Sequence, residues 1–239
     1  VLTDRPEPLL FVHQLIFVAF WNKTHKHFFG RKKMEQGSDE WHMARLGKAT
    51  GSNFGKIMTG GKTRETYLHE LVCQRLTQNR GPDLKGPALD WGHDHEPSAR
   101  LAYSLLQMDK GIEHSIVQED GFVCHPDHEQ IGCSVDGLIH DDGIIEIKCP
   151  YTSKNHYRTL VGGKVPKEYV WQVYGNLWVT QRKWCDFVSF DPRFNSAMQV
   201  AVVRVEAEDD VISDMAKRII EFVADVDEKE REIRERFSK

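Results

Sequence analysis

The chain has 239 residues, 40% of them hydrophobic and 28% charged, the balance of a soluble globular protein with ample material for a core. Its formal net charge of −4 excludes adhesion to nucleic acid by bulk charge, so any such contact must come from a local basic patch. Five cysteines without regular spacing argue against a disulfide scaffold and for reduced thiols in an intracellular, cytoplasmic protein.

Residues 1–33 read differently from the rest. Residues 9–21 form an apolar run broken by His13 and Gln14, too short for a membrane span of about 20 apolar residues. Asp4 and Glu7 precede it and no small-residue cleavage site follows, which argues against a signal peptide. Met34 stands just ahead of the first well-organised segment. The expectation is a leader, residues 1–33, outside the working fold, and a single domain over residues 34–239. An extra apolar helix packing on a partner is the alternative.

Residues 45–64 contain Arg45, Lys48, Lys56, Lys62 and Arg64 and no acid. Thr50 or Ser52 can cap a short helical segment over residues 53–58. A helix N-terminus with an arginine nearby is an anion site, although a solvated basic loop has the same composition. After Gly60-Gly61, the spacing of Tyr67, Leu68, Leu71, Val72 and Leu76 predicts a core helix over residues 66–78. Further on, Pro97 predicts a helix start or kink that could aim Glu96 into a site. His93 and His95 beside it are either ligands or surface.

Strands are expected over residues 115–123, 130–134, 137–140 and 144–148. Asp141-Asp142-Gly143 is a turn signal between the last two, and a hairpin there brings Asp136 beside Glu146. Residues 144–148 alternate, so Ile145 and Ile147 face a core while Glu146 and Lys148 share the other face. Two converging carboxylates repel unless a cation sits between them, and oxygen ligands suit Mg²⁺. A lysine on the same face can orient water or stabilise developing phosphate charge. That combination fits metal-assisted phosphodiester hydrolysis, while a merely solvated hairpin face carries the same alternation. Cys124, His125, His128 and Cys133 match no zinc-ligand spacing.

Beyond the hairpin, Lys154, Arg158, Lys164 and Lys167 around Gly162-Gly163 form a second basic region, expected to be flexible. A helix over residues 169–180 carries Gln172. Strands over 184–190 and 198–205 are joined by a turn at Asp191-Pro192. The C-terminal stretch is an amphipathic helix with Val211, Ile212, Met215, Ile219, Phe222, Val223 and Val226 on one face. Residues 227–239 are charged and expected to fray.

Trp41-His42-x-x-Arg45-Leu46-Gly47 with Thr50 and Ser52, Trp91-Gly92 with Glu96, Ser134-x-Asp136-Gly137-Leu138, Glu146-x-Lys148-Cys149-Pro150, and Gln172-Val173 with Trp178-Val179-Thr180 stand in that order. This set resembles the phage lambda exonuclease, or YqaJ-type viral recombinase, family, from about Glu35 to the C-terminal helix. The resemblance implies an α/β (α+β) restriction-endonuclease-like core, a mixed central sheet flanked by helices, with an active site of the PD-(D/E)XK type. It implies a Mg²⁺-dependent 5′→3′ exonuclease, with Mn²⁺ able to substitute, that degrades one strand of duplex DNA from its end for phage-type recombination. Asp136, Glu146 and the Ile147 carbonyl would hold the metal, with Glu96 assisting at a second ion. Lys148 would position the attacking water, and Gln172 would orient the site. Arg45, Thr50 and Ser52 match a pocket for a 5′ phosphate, and Leu89 matches a wedge that splits the terminal base pair. Implied partners are double-stranded DNA ends, a phage-type single-strand annealing protein, and two further copies of the chain in a homotrimeric ring, with no membrane. The pattern departs at Asn176, where related nucleases often carry a tyrosine, and at Val135, where they carry proline. A structure-specific endonuclease on the same fold and a non-catalytic DNA-end-binding scaffold are the rival readings.

Overall fold

The computed structural model describes residues 34–82, 85–110, 112 and 121–238. The leader, and most of the strand expected over residues 115–123, lie outside the described residues. The elements in chain order are α1 (Asp39–Arg45), β1 (Ala49–Thr50), a 3₁₀ turn (Gly51–Asn53), α2 (Phe54–Thr59), α3 (Gly61–Thr77) and α4 (Pro87–Asp109). They continue with β2 (Val123–His125), β3 (His128–Cys133), β4 (Gly137–Ile139), β5 (Gly143–Lys148), α5 (Ser153–Gly162), α6 (Lys167–Thr180), β6 (Trp184–Phe190), β7 (Val200–Glu206) and α7 (Asp209–Phe237).

A four-stranded mixed sheet in the order β4-β5-β6-β7 is the centre. The Asp141–Gly143 turn closes an antiparallel β4–β5 hairpin, with Gly137 opposite Ile145. Strand β6 runs parallel to β5, Glu146 opposite Phe187, so the chain must cross over between them, and α5 and α6 supply that crossover. The alternation expected in β5 holds, but Glu146 on its polar face does not meet water. Ile145 and Ile147 pack with Val188, Phe190, Ala99 and Tyr103 beneath α4. Ile144 packs on the opposite side, with Phe187, Val173 and Leu177. Helix α6 therefore roofs the face that carries Glu146, which is only 1% exposed.

Four expectations about local structure are corrected. Helix α4 does not start at Pro97 but runs through it. The carbonyl freed by the missing proline N–H belongs to the turn at His93, and both residues are exposed, so water can satisfy it. In the basic region after β5, Lys154 and Arg158 lie on helix α5 and Lys167 opens α6, with residues 163–166 between them. Helix α5 is pinned by the buried His156 ring, which bonds Ser189 Oγ at 2.9 Å and the Met198 carbonyl at 2.8 Å. Residues 227–237 do not fray: α7 continues to Phe237, and Arg75 bonds both Asp227 and Glu230. Neither Thr50 nor Ser52 caps α2. Its N-cap is Asn53, without a side-chain cap, and Thr50 Oγ1 instead accepts from Asn53 Nδ2 at 2.9 Å.

A smaller sheet in the order β1-β3-β2 lies earlier in the chain. Parallel pairing sets Thr50 opposite Gly132, which brings the basic N-terminal segment beside Cys133 and Ser134. Among the described residues no helix is long and apolar enough to cross a membrane. None of the five cysteines is in a disulfide.

Candidate active site

Parallel strands leave a crevice at their carboxyl ends, and β5 ends there on Lys148. Asp136, just before β4, reaches across the end of that short strand, and its Oδ2 accepts from the Ile147 N–H at 2.6 Å. In a strand the N–H and C=O of one residue point to the same side. The Ile147 carbonyl therefore also faces the Asp136 side, away from β6. Glu146 is held from three directions. Lys148 Nζ and Gln172 Nε2 (2.6 Å) donate to its Oε1, and Asn176 Nδ2 donates to Oε2 at 2.8 Å. Gln172 and Asn176 stand one turn apart on α6, as the i, i+4 spacing requires. Glu96 comes from α4, where Arg100 Nη2 donates to its Oε1 at 2.8 Å while Arg100 Nη1 donates to the Asp136 carbonyl. The hairpin and these two helices thus bring Asp136, Glu146, Lys148, Glu96 and Gln172 together.

Burial, opposed by Lys148 and reinforced by Asp136 and Glu96, pushes the Glu146 pKa up to about 8. Asp136 is likewise raised by burial against the pull of Lys148 and the Ile147 N–H, and Glu96 by burial and then Asp136. Burial works against the Lys148 ammonium, but Glu146 and Asp136 outweigh it and hold its pKa above the ordinary lysine value. Burial is the largest cause for all three carboxylates, and their mutual repulsion adds to it for Glu146 and Glu96. Among the described residues no three His, Cys, Asp or Glu side chains stand ready as a metal cage, in keeping with Glu96 turned to Arg100. The remaining donors, two carboxylates and a backbone carbonyl, are all oxygen and fit a hard divalent cation. The Cys124, His125, His128 and Cys133 set likewise forms no metal cluster.

The second constellation is built on Arg45. Its Nη1 donates to Ser134 Oγ at 3.3 Å and its Nη2 to Ser52 Oγ at 3.3 Å. The guanidinium lies over Trp41, 4.1 Å from the ring centroid, and Trp41 Nε1 donates to the same Ser134 hydroxyl at 2.8 Å. Burial lowers the Arg45 pKa, and no acid is among the groups acting on it, so among the described residues this cation stands without an ion-pair partner. Thr50 Oγ1 is 3.5 Å from Ser52 Oγ. A cavity of about 720 Å³ opens beside these groups, lined by Arg45, Thr50, Lys48, Lys56 and Tyr67 among others. Leu89 lies in the first turn of α4, 46% exposed.

Reasoning from sequence missed Ser134, Asn176 and Arg100. Arg100 was legible as the i+4 partner of Glu96. Ser134 stands inside the motif that carries Asp136, but its bond to Arg45 spans 89 residues. Asn176 was visible only as a departure from a family pattern.

A mixed sheet with two carboxylates and a lysine at the carboxyl end of its parallel strand, flanked by helices on both faces, defines a nuclease of the restriction-endonuclease-like class. Comparison with known proteins narrows this. A sequence model of the YqaJ-like viral recombinase domain matches residues 40–183, and the chain belongs to that family. It is similar to an alkaline exonuclease from Laribacter hongkongensis, with 37% identity and a TM-score of 0.76, covering 84% of this chain and 98% of that one. The structure of that enzyme in complex with dAMP gives 36% identity and a TM-score of 0.77 over the same shares. A phage related exonuclease from Haemophilus somnus, at 16% identity and a TM-score of 0.57 over 78% of this chain and 96% of that one, shares the fold. An uncharacterized protein of Acanthamoeba polyphaga mimivirus is 26% identical over 169 residues, 65% of this chain, which spans only 29% of that protein's length.

Proposed function

We propose that the protein is a Mg²⁺-dependent 5′→3′ exonuclease that degrades one strand of duplex DNA from its end and leaves 3′ single-stranded overhangs for phage-type homologous recombination. The observation that carries this reading is that Ser134 joins the two constellations. It accepts from Arg45 and stands two residues before Asp136, so one short backbone segment carries both a partner of the proposed end-binding cation and one of the carboxylates.

Asp136, Glu146 and the Ile147 carbonyl would hold the ion, with Glu96 close by. A bound divalent cation supplies Lewis-acid polarisation of the phosphodiester and lowers the pKa of a bound water. The protein's own part is positioning. Gln172 and Asn176 fix both oxygens of Glu146, and Lys148 presents a cation where negative charge builds on the phosphate. Arg45, with Ser52 and Thr50, would grip a terminal 5′ phosphate, which carries about one more negative charge than an internal diester. Exposed Leu89 would act as the wedge at the terminal base pair. The Laribacter hongkongensis relative is an alkaline exonuclease, which supports exonuclease activity for this chain. A homotrimeric ring with a basic channel would reconcile a net charge of −4 with DNA binding, and its single-stranded product would suit an annealing protein.

Digestion of end-labelled linear duplex with and without Mg²⁺, beside circular duplex, tests the reading. Metal-dependent release of 5′ label from linear DNA alone is expected. Cleavage of the circle would show an endonuclease, and binding without release would show a scaffold.

A further inference from the structure

We propose that Arg75 is a positioning residue for end recognition, holding the turn that carries Arg45, and that the charged end of α7 is its anchor. The inference rests on reading Arg45 as the end-phosphate group.

Arg45 opens a tight turn. The Lys48 N–H donates to the Arg45 carbonyl at 3.1 Å, Leu46 has φ −58° and ψ 124°, and Gly47 has φ +68°. These are the angles of a type II turn, whose third position favours glycine. Both backbone groups of Gly47 are held by consecutive residues near the end of α3. Gln74 Oε1 accepts from the Gly47 N–H at 2.9 Å, and Arg75 Nε donates to the Gly47 carbonyl at 2.7 Å. The fit is close: a Cβ at Gly47 would stand 2.5 Å from Arg75 Cγ.

Arg75 uses the rest of its fork elsewhere. Nη1 reaches Asp227 Oδ1 at 2.5 Å and Glu230 Oε2 at 3.5 Å on α7. Nη2 donates to Gln130 Oε1 at 2.9 Å, on the strand that leads to Ser134. The side chain is 13% exposed. One planar group therefore ties the turn below Arg45, the strand leading to Ser134 and the C-terminal helix into a single frame. Arg45 itself has only hydroxyl bonds and aromatic contacts among the described residues, so its aim depends on the backbone beneath it. A fork binding at three nitrogens has no equivalent in lysine, whose ammonium is a single point.

The test compares kcat/KM on duplexes with 5′ phosphate and 5′ hydroxyl ends, together with Tm, for wild type, Arg45→Ala, Arg75→Met, Arg75→Lys and the double variant Asp227→Asn, Glu230→Gln. Arg75→Met should slow phosphorylated ends about tenfold, the scale of one charge-assisted bond, and hydroxyl ends by less than about twofold. Arg75→Lys should recover Tm through the α7 acids without recovering the phosphate preference. The double variant should lose part of that preference. If Arg75 only staples α7 to α3, Arg75→Lys restores both properties, or both substrates slow alike, and the inference fails. It also fails if Arg45→Ala erases the preference while folded Arg75 variants keep it. A wild type with no phosphate preference overturns the reading of Arg45 and this inference with it. Should Arg75→Met not fold, the lysine and double variants decide by the same ratio.

Discussion

Arg45 Nη1 donates to Ser134 Oγ at 3.3 Å across 89 residues of chain, and Asp136 follows Ser134 by two positions. On the proposed reading, the distance between the end-phosphate group and the metal-holding carboxylate would be set by a segment too short to stretch, as removal of nucleotides from an end requires.

Arg45→Ala should erase most of a preference for 5′ phosphate ends. Bonds to charged groups contribute about 1.5–3 kcal/mol each, so phosphorylated duplex should be cut about ten- to a hundredfold more slowly. Hydroxyl-ended duplex should be nearly unaffected. Matched substrates in a single-turnover assay check this, and equal slowing of both would refute it.

Asp136→Asn and Glu146→Gln should each abolish Mg²⁺-dependent cleavage, by about 10³-fold or more, while changing Tm by only a few degrees. The amides keep the shape but cannot ionise to hold a cation, and burial already disfavours the charged carboxylates. Lys148→Met should be equally inactive. Near-wild-type cleavage by any folded member of the three would sink the site assignment.

The raised Glu146 pKa gives a pH dependence with a definite sign. Between its unfolded value near 4.5 and its folded value of about 8, the native metal-free protein holds a proton that the unfolded chain has lost, so stability falls as pH rises through that window. A divalent cation requires the ionised carboxylate, so Mg²⁺ should raise Tm more at about pH 8 than at about pH 6. Glu146→Gln should flatten both trends. A metal-free Tm that rises across that window would contradict the assignment.

Gly175 lies in the middle of α6, where alanine would ordinarily gain about 1 kcal/mol of helix propensity. Here a Cβ would stand 2.1 Å from Phe54 Cδ2, in a fully buried ring. Overpacking of that kind costs about 1–3 kcal/mol. Gly175→Ala should therefore destabilise the protein, and because α6 carries Gln172 and Asn176, lower activity as well. Urea unfolding measures the first effect, and a more stable variant would refute it.

Local pattern alone determined much of this protein. Residues 144–148 declared a strand with Glu146 and Lys148 on one face, and the Asp-Asp-Gly turn declared the hairpin that brings Asp136 beside it, because side-chain period and turn chemistry are properties of neighbouring residues. The motifs taken together also declared the family. Periodicity says which side a residue points to and nothing about what covers that side. Only the tertiary structure showed that α6 roofs Glu146, that Asn176 completes its bonding, and that Ser134 belongs to Arg45. It likewise turned the charged end of α7 from a fraying tail into the anchor of Arg75, because each of those outcomes depends on partners brought together from distant parts of the chain by the packing of the core.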